Sequence, residues 1–297
     1  MYGSTAEFTP LRFLILDCML LYSVKNSFAM NDIFKKLAFD DISSNGRIKY
    51  LPDENGIFKP YELLCFNKNT FKASGWETTD KKRKKTKPCN YDFFEENVSQ
   101  NLENRRKSYS RAKNKLFDIL MSTVCFDSFV TLTLDSEKIA RDDYSVIIKK
   151  LGTWLDNRVR RNCLTYVLVP EFHSDKKSVH FHGLINSSAV KLERATNPHN
   201  GNLLCDKSGR EIYNILDYPF GFSTLIHLSG ENARINTAKY CYKYITKTGG
   251  EKVGGRYYLS GGSLGSPVYD FVVCDYEELD APEINIAGKI ACKKIRL

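Results

Sequence analysis

Three of the five histidines fall in one window, Tyr166 to Asn186, and its sequence YVLVPEFHSDKKSVHFHGLIN admits few local folds. Tyr166 to Phe172 is rich in Val, Leu and aromatic residues, and Ser178 to Ile185 alternates around His180, Phe181 and His182; Ser174, Asp175, Lys176 and Lys177 between them are turn formers. The window predicts two strands and a turn. Successive side chains on a strand point to opposite faces, so His180 and His182 share one face and Phe181 takes the other. On this reading the histidine face is solvated and the Phe181 face belongs to the core. Two imidazoles side by side can share a metal ion, and strand pairing can bring Glu171 close enough to add a hard carboxylate ligand. His173 is a rival for that third position. A histidine pair on a wet hairpin needs no metal, so the weight of the reading rests on the remaining chain.

The 297 residues, 42% hydrophobic and 12% aromatic, supply a sizeable core and exclude wholesale disorder. The net charge of +9 favours a polyanionic partner, nucleic acid before an acidic membrane surface. Nine cysteines with no CxxC pair argue against a disulfide framework or zinc knuckle and fit a reducing cytoplasm. Leu11 to Val24 is apolar, but Arg12 and Asp17 interrupt it, it is short for a bilayer, and no basic n-region precedes it. Neither a membrane span nor a signal peptide is expected. The first 29 residues read as an extension upstream of Met30 or as a docking helix.

From Asn31 to Trp76, Asn45-Gly46 and Asn55-Gly56 mark turns between short strands, and Lys81 to Lys87, KKRKKTK, reads as a basic linker. Val98 to Met121 lacks Pro and Gly and predicts a long amphipathic helix. Arg105, Arg106, Arg111 and Lys113 on its polar face suit a phosphate backbone. Asp127 to Leu134 reads as a strand, and Asp135 or Ser136 as the cap of a helix running to Arg161. Ser187 to Gly221 is a turn-rich insertion containing His199, and Phe222 to Leu228 is a strand whose His227 reads as structural. In the helix Ala233 to Thr248, Tyr240 and Tyr244 share a face, as do Lys243 and Lys247, while Tyr242 points elsewhere. An ordinary amphipathic surface of Tyr and Lys would look the same. Val268 to Val273 is a last strand, and the element order gives an α+β class.

Three of these pieces, in this order, resemble the HUH endonucleases, and among them the rolling-circle replication initiators of phages and plasmids. FVTLTL, Phe129 to Leu134, is similar to the family's first motif; HFH, His180 to His182, to its metal motif, with Glu171 in the place of the third ligand; and YCYKYITK, Tyr240 to Lys247, to its YxxKYxxK helix with paired tyrosines. The resemblance implies a central antiparallel sheet of about five strands with flanking helices, like the palm of RNA-recognition-like folds. The chain then divides into an N-terminal extension with a basic linker (1–96), an endonuclease domain (97–275) and a C-terminal tail (276–297).

The same resemblance implies an enzyme that nicks single-stranded DNA at a replication origin by metal-assisted tyrosine attack, leaves a 5′-phosphotyrosine link and a free 3′ hydroxyl, and later rejoins the strand. His180, His182 and Glu171 are its implied ligands for Mg2+ or Mn2+. Tyr244, Tyr240, Lys247 and Lys243 are its implied catalytic residues, with Tyr244 acting first. No GxxxxGK[ST] motif is found, so a host helicase and a DNA polymerase are expected partners in the cytoplasm. A transposase or mobilisation relaxase would share this chemistry. A non-catalytic module, with Phe181, Tyr240 and Tyr244 stacking bases, is the rival of a different class.

Overall fold

A computed structural model describes residues 43–68, 71–72, 94–175, 177–247, 250–287 and 290–297. The apolar run at Leu11 to Val24 and the basic run at Lys81 to Lys87 lie outside the described residues. In chain order the strands are β1 (Ser43–Ser44), β2 (Gly46–Pro52), β3 (Phe58–Phe66), β4 (Phe71–Lys72), β5 (Ser128–Leu134), β6 (Tyr166–Phe172), β7 (Val179–Ile185), β8 (Leu192–Arg194), β9 (Tyr213–Ile215), β10 (Gly221–His227), β11 (Leu259–Gly261), β12 (Val268–Val272), β13 (Glu283–Ala287) and β14 (Ile290–Arg296). The α-helices among the described residues are α1 (Phe94–Ser122), α2 (Tyr144–Asn162) and α3 (Ala233–Lys247). The class is α+β with antiparallel sheets. Beside the two-stranded pair β1-β4 there are two larger sheets, ordered β11-β6-β7-β5-β10-β9-β8 and β12-β2-β3-β14-β13, rather than one central sheet.

The described chain divides into two compact units. The smaller, from residues 43–48, 62–68, 71–72 and the described part of 270–297, buries Leu63, Cys65, Cys274 and Leu279 together. Asn45 ties it internally, donating to the Cys274 carbonyl at 2.9 Å and accepting from the Cys274 amide at 2.8 Å.

The larger unit, residues 49–61 and the described part of 80–269, carries the seven-stranded sheet. Alternation along its strands sorts the side chains onto two faces. Val130, Leu132, Leu168, Phe181, Ile185 and Leu225 meet Ile147, Leu151 and Leu155 of α2 on one face. Val167, Val169 and Leu184 meet Leu116 and Leu120 of α1 and Ala238, Cys241 and Ile245 of α3 on the other. Five strands were expected here. The additional ones, β8, β9 and β11, are three residues each, too short to show a period in sequence, and β12 joins the other sheet.

The α2 helix starts later than its sequence suggests. Asp135 closes a local turn, accepting from the Glu137 amide at 3.0 Å, and Asp143 is the cap, accepting from the Val146 amide at 3.1 Å. Cys163, with φ 57, ends the helix in the left-handed region, where its N–H reaches the Val159 carbonyl. Among the described residues no helix is long and apolar enough to cross a membrane.

Candidate metal and tyrosine site

Strand register assembles the polar end of the β6–β7 hairpin. Glu171 is paired with His180, and Val169 with His182, so all four side chains lie on the face shared with α3. Asp175 fixes the turn: its carboxylate accepts from the Lys177 and Ser178 amides, each at 2.9 Å, and from the Ser178 hydroxyl at 2.7 Å. A Cβ at Gly183 would stand 1.8 Å from the Val167 carbonyl oxygen, so only glycine lets the two strands approach this closely beside the histidines.

The Glu171 Oε2 atom lies 3.1 Å from His180 Nε2 and 3.0 Å from His182 Nε2. One ligand atom from each of the three residues falls within 4.8 Å of the others, a group able to hold a metal ion. Neighbouring ligands about 2.1 Å from an octahedral ion are about 3 Å apart, so the carboxylate–imidazole spacings suit such an ion. The other ring nitrogens are occupied. His182 Nδ1 is 3.0 Å from the Thr131 hydroxyl and His180 Nδ1 is 2.9 Å from His173 Nε2. When those Nδ1–H groups donate, both Nε2 lone pairs face Glu171, the tautomer that metal ligation needs. His173 therefore stands behind His180, outside the triad.

The histidine face is covered, contrary to the wet face expected from sequence. The His180 and His182 side chains are only 17% and 12% exposed, because the apolar stripe of α3 needs the valines flanking them as its partner. Burial, seconded by His180, lowers the His182 pKa to about 4, and burial also lowers that of His180, so both imidazoles are neutral near pH 7. Burial pushes the Glu171 pKa up, but hydrogen bonds from Lys247 and His180 more than offset this and hold it below the usual carboxylate range.

The α3 helix presents Tyr240, Tyr244 and Lys247 to this cluster. Tyr244, 5% exposed, stacks on His182 with ring centroids 4.3 Å apart and planes at 17°. Its hydroxyl donates to the Tyr240 hydroxyl at 2.6 Å. Burial first, and then that contact, raise the Tyr244 pKa above the usual phenol range. Lys247 reaches both partners, its ammonium 3.1 Å from Glu171 Oε1 and 4.7 Å from the Tyr244 ring centroid. Tyr242 points away and packs edge-on against Phe117 of α1.

Other residues marked in the sequence lie elsewhere. Lys243 is exposed and stands apart from these contacts. Arg105, Arg106 and Arg111 are exposed on α1, and the Lys113 ammonium sits over Tyr109 at 5.7 Å. Phe181 is fully buried on the α2 face and offers no surface to a base, which removes it from the aromatic platform considered above.

Sequence reading missed two features. Thr131 lies in FVTLTL, but only the β5–β7 register, pairing it with His182, reveals its part. Arg234, 4% exposed, was unmarked: its guanidinium donates to the carbonyls of Met121 at 3.0 Å, Pro52 at 3.3 Å and Asp53 at 2.8 Å. Next to it Glu54 accepts from the Ile235 amide at 2.9 Å, capping the first turn of α3 from the β2–β3 hairpin.

Residues 127–249, which contain the triad and both tyrosines, match the model of a family described as replication-associated protein of the ORF2 type. This part of the chain is similar to replication-associated proteins, and the likeness supports a role in DNA replication. No curated protein and no solved structure matches the chain.

Proposed function

We propose that the chain initiates replication by nicking single-stranded origin DNA through a tyrosine of α3 and later rejoining the strand. The observation that carries this reading is the convergence of Glu171, His180 and His182 with a tyrosine stacked on one of the histidines. Glu171, His180 and His182 would hold the divalent ion, Mg2+ or Mn2+, which when bound supplies Lewis-acid polarisation of a phosphodiester oxygen.

The residues of the chain supply the nucleophile and its proton path. The Tyr244 oxygen attacks the phosphorus, a Tyr–O–P bond forms, and the P–O3′ bond breaks. The phenol proton leaves along the hydrogen bond to Tyr240, which is 48% exposed and passes its own proton to water. The departing 3′ oxygen takes up a proton from solvent. A phenol ionises near pH 10 in water, and burial raises Tyr244 further, so charge must be offset as it develops. Lys247 supplies part of that offset from beside the ring, and Thr131 and His173 hold the imidazoles in orientation. Rejoining reverses the step, with a 3′ hydroxyl attacking the phosphotyrosine. A helicase and a polymerase of the host would then use the nicked strand.

Incubation with single-stranded origin DNA and Mn2+, followed by a denaturing gel, tests the proposal. A covalent adduct is expected from the unsubstituted protein and none from Tyr240→Phe/Tyr244→Phe. An undiminished adduct from that double variant would place the nucleophile elsewhere and overturn the assignment.

A further inference from the structure

Helix α3 packs over β6 and β7, leaving the β5–β10 half of the same sheet face uncovered beside the site. The registers set one row of residues across this face: Glu171 opposite His180, His180 opposite Thr133, and Thr133 opposite Phe222. Directly opposed residues in an antiparallel ladder share a face, so Phe222 points the same way as the triad. It stands two strand spacings, roughly 10 Å, from His180. The next row is Val169, His182, Thr131 and Thr224.

Phe222 is 70% exposed, whereas Ser223 and Leu225, on the opposite face of β10, are 6% and 0% exposed. Its row and the next surround it with the hydroxyls of Thr133, Thr131 and Thr224 rather than with further apolar side chains. A protein-docking patch would need a contiguous apolar area. One aromatic ring among hydroxyls instead matches a nucleobase, which offers a flat π face and polar edges. In a duplex those faces are already stacked, so the matching partner is single-stranded.

We infer that Phe222 is a base-stacking residue, carrying one base of a single strand of DNA that lies across β5 and β10 and leads into the metal and tyrosine site. This rests on the nicking reading for the identity of the strand, and the net charge of +9 suits its backbone.

The test uses the full chain carrying Tyr240→Phe/Tyr244→Phe, without metal, so that binding is separated from cleavage. Fluorescence anisotropy is read with labelled oligothymidylate of about 20 nucleotides and with the fully abasic backbone of the same length. Base stacking lost on alanine replacement corresponds to roughly a 5- to 150-fold weaker affinity. Phe222→Ala should show that loss for oligothymidylate and none for the abasic strand, with an unchanged thermal midpoint. Phe222→Trp should restore affinity, and its emission should be quenched by oligothymidylate alone. Equal losses on both strands, no loss on either, or no binding of oligothymidylate by the parent would each overturn the inference. Adduct formation by the otherwise unsubstituted protein is scored separately. An adduct with Phe222-insensitive affinity rejects the stacking alone, whereas Phe222-dependent affinity with no adduct rejects the nicking alone.

Discussion

Arg234 joins three stretches of chain that are far apart in sequence: the last turn of α1, the end of β2 and the start of α3. Arg234→Met keeps most of the buried stem and removes the fork, which leaves three carbonyls facing an apolar group. Hydrogen bonds to a charged donor each contribute about 1.5–3 kcal/mol, and breaking a buried charged cluster costs about 3–5 kcal/mol once partial rehydration is allowed. Since a domain is stable by only about 5–15 kcal/mol, this is a large fraction. At about 2–4 °C per kcal/mol the thermal midpoint should fall by about 6–20 °C. Arg234→Lys should lie between, because one ammonium cannot reproduce the geometry of a planar fork. Urea unfolding followed by both circular dichroism and tyrosine fluorescence measures the loss. A change under about 1 kcal/mol for Arg234→Met would show that the three carbonyls find other donors, and the view of this residue as the anchor of α3 would fail.

Acid should weaken the metal-free fold through His182: its folded pKa of about 4 lies below the ordinary 6.5, so stability is fully present above pH 6.5 and is lost as pH falls towards 4. That window is worth roughly 3 kcal/mol, and His182→Asn should flatten it in urea titrations run with EDTA; an unchanged slope rejects it. Thr131→Val removes the hydroxyl beside His182 Nδ1 and should lower Mn2+ affinity about 10- to 100-fold in calorimetry, whereas unaltered affinity would show the ring is held without it. Neutralising Arg105, Arg106, Arg111 and Lys113 should weaken binding to all single strands alike and flatten its dependence on salt; a loss confined to one sequence would make α1 a reader of bases.

Much of this was legible because the informative contacts are local. The hairpin's seven-residue arms carry their own period, and Asp175 and Ser178 sit where the turn needs them, so the pairing of Glu171 with His180 follows from the window itself. The four-residue spacing likewise puts Tyr240 and Tyr244 on one face of α3. What escaped depends on distant pairing. The Thr131 partnership requires β5 to lie beside β7, and Arg234 meets carbonyls some 180 positions away, at separations of 181 and 182 residues. The degree of burial of the histidines was misjudged for the same reason: a strand reports which residues share a face, but not which helix covers it. Phe222 was visible as a strand residue, yet its exposure depends on where α3 stops short of β10.

The contact between the two tyrosine hydroxyls sets a rule of mutual exclusion. Their oxygens are 2.6 Å apart. Two negative charges at that distance would repel by about 6 kcal/mol even at an effective dielectric constant of about 20. One phenolate is tolerated, since the neighbouring O–H can donate to it; two are not. Whichever tyrosine has given up its proton obliges the other to keep its own. The pair is therefore a single ionisable unit with two addresses, and possession of the proton, rather than position along the helix, decides which oxygen is able to attack.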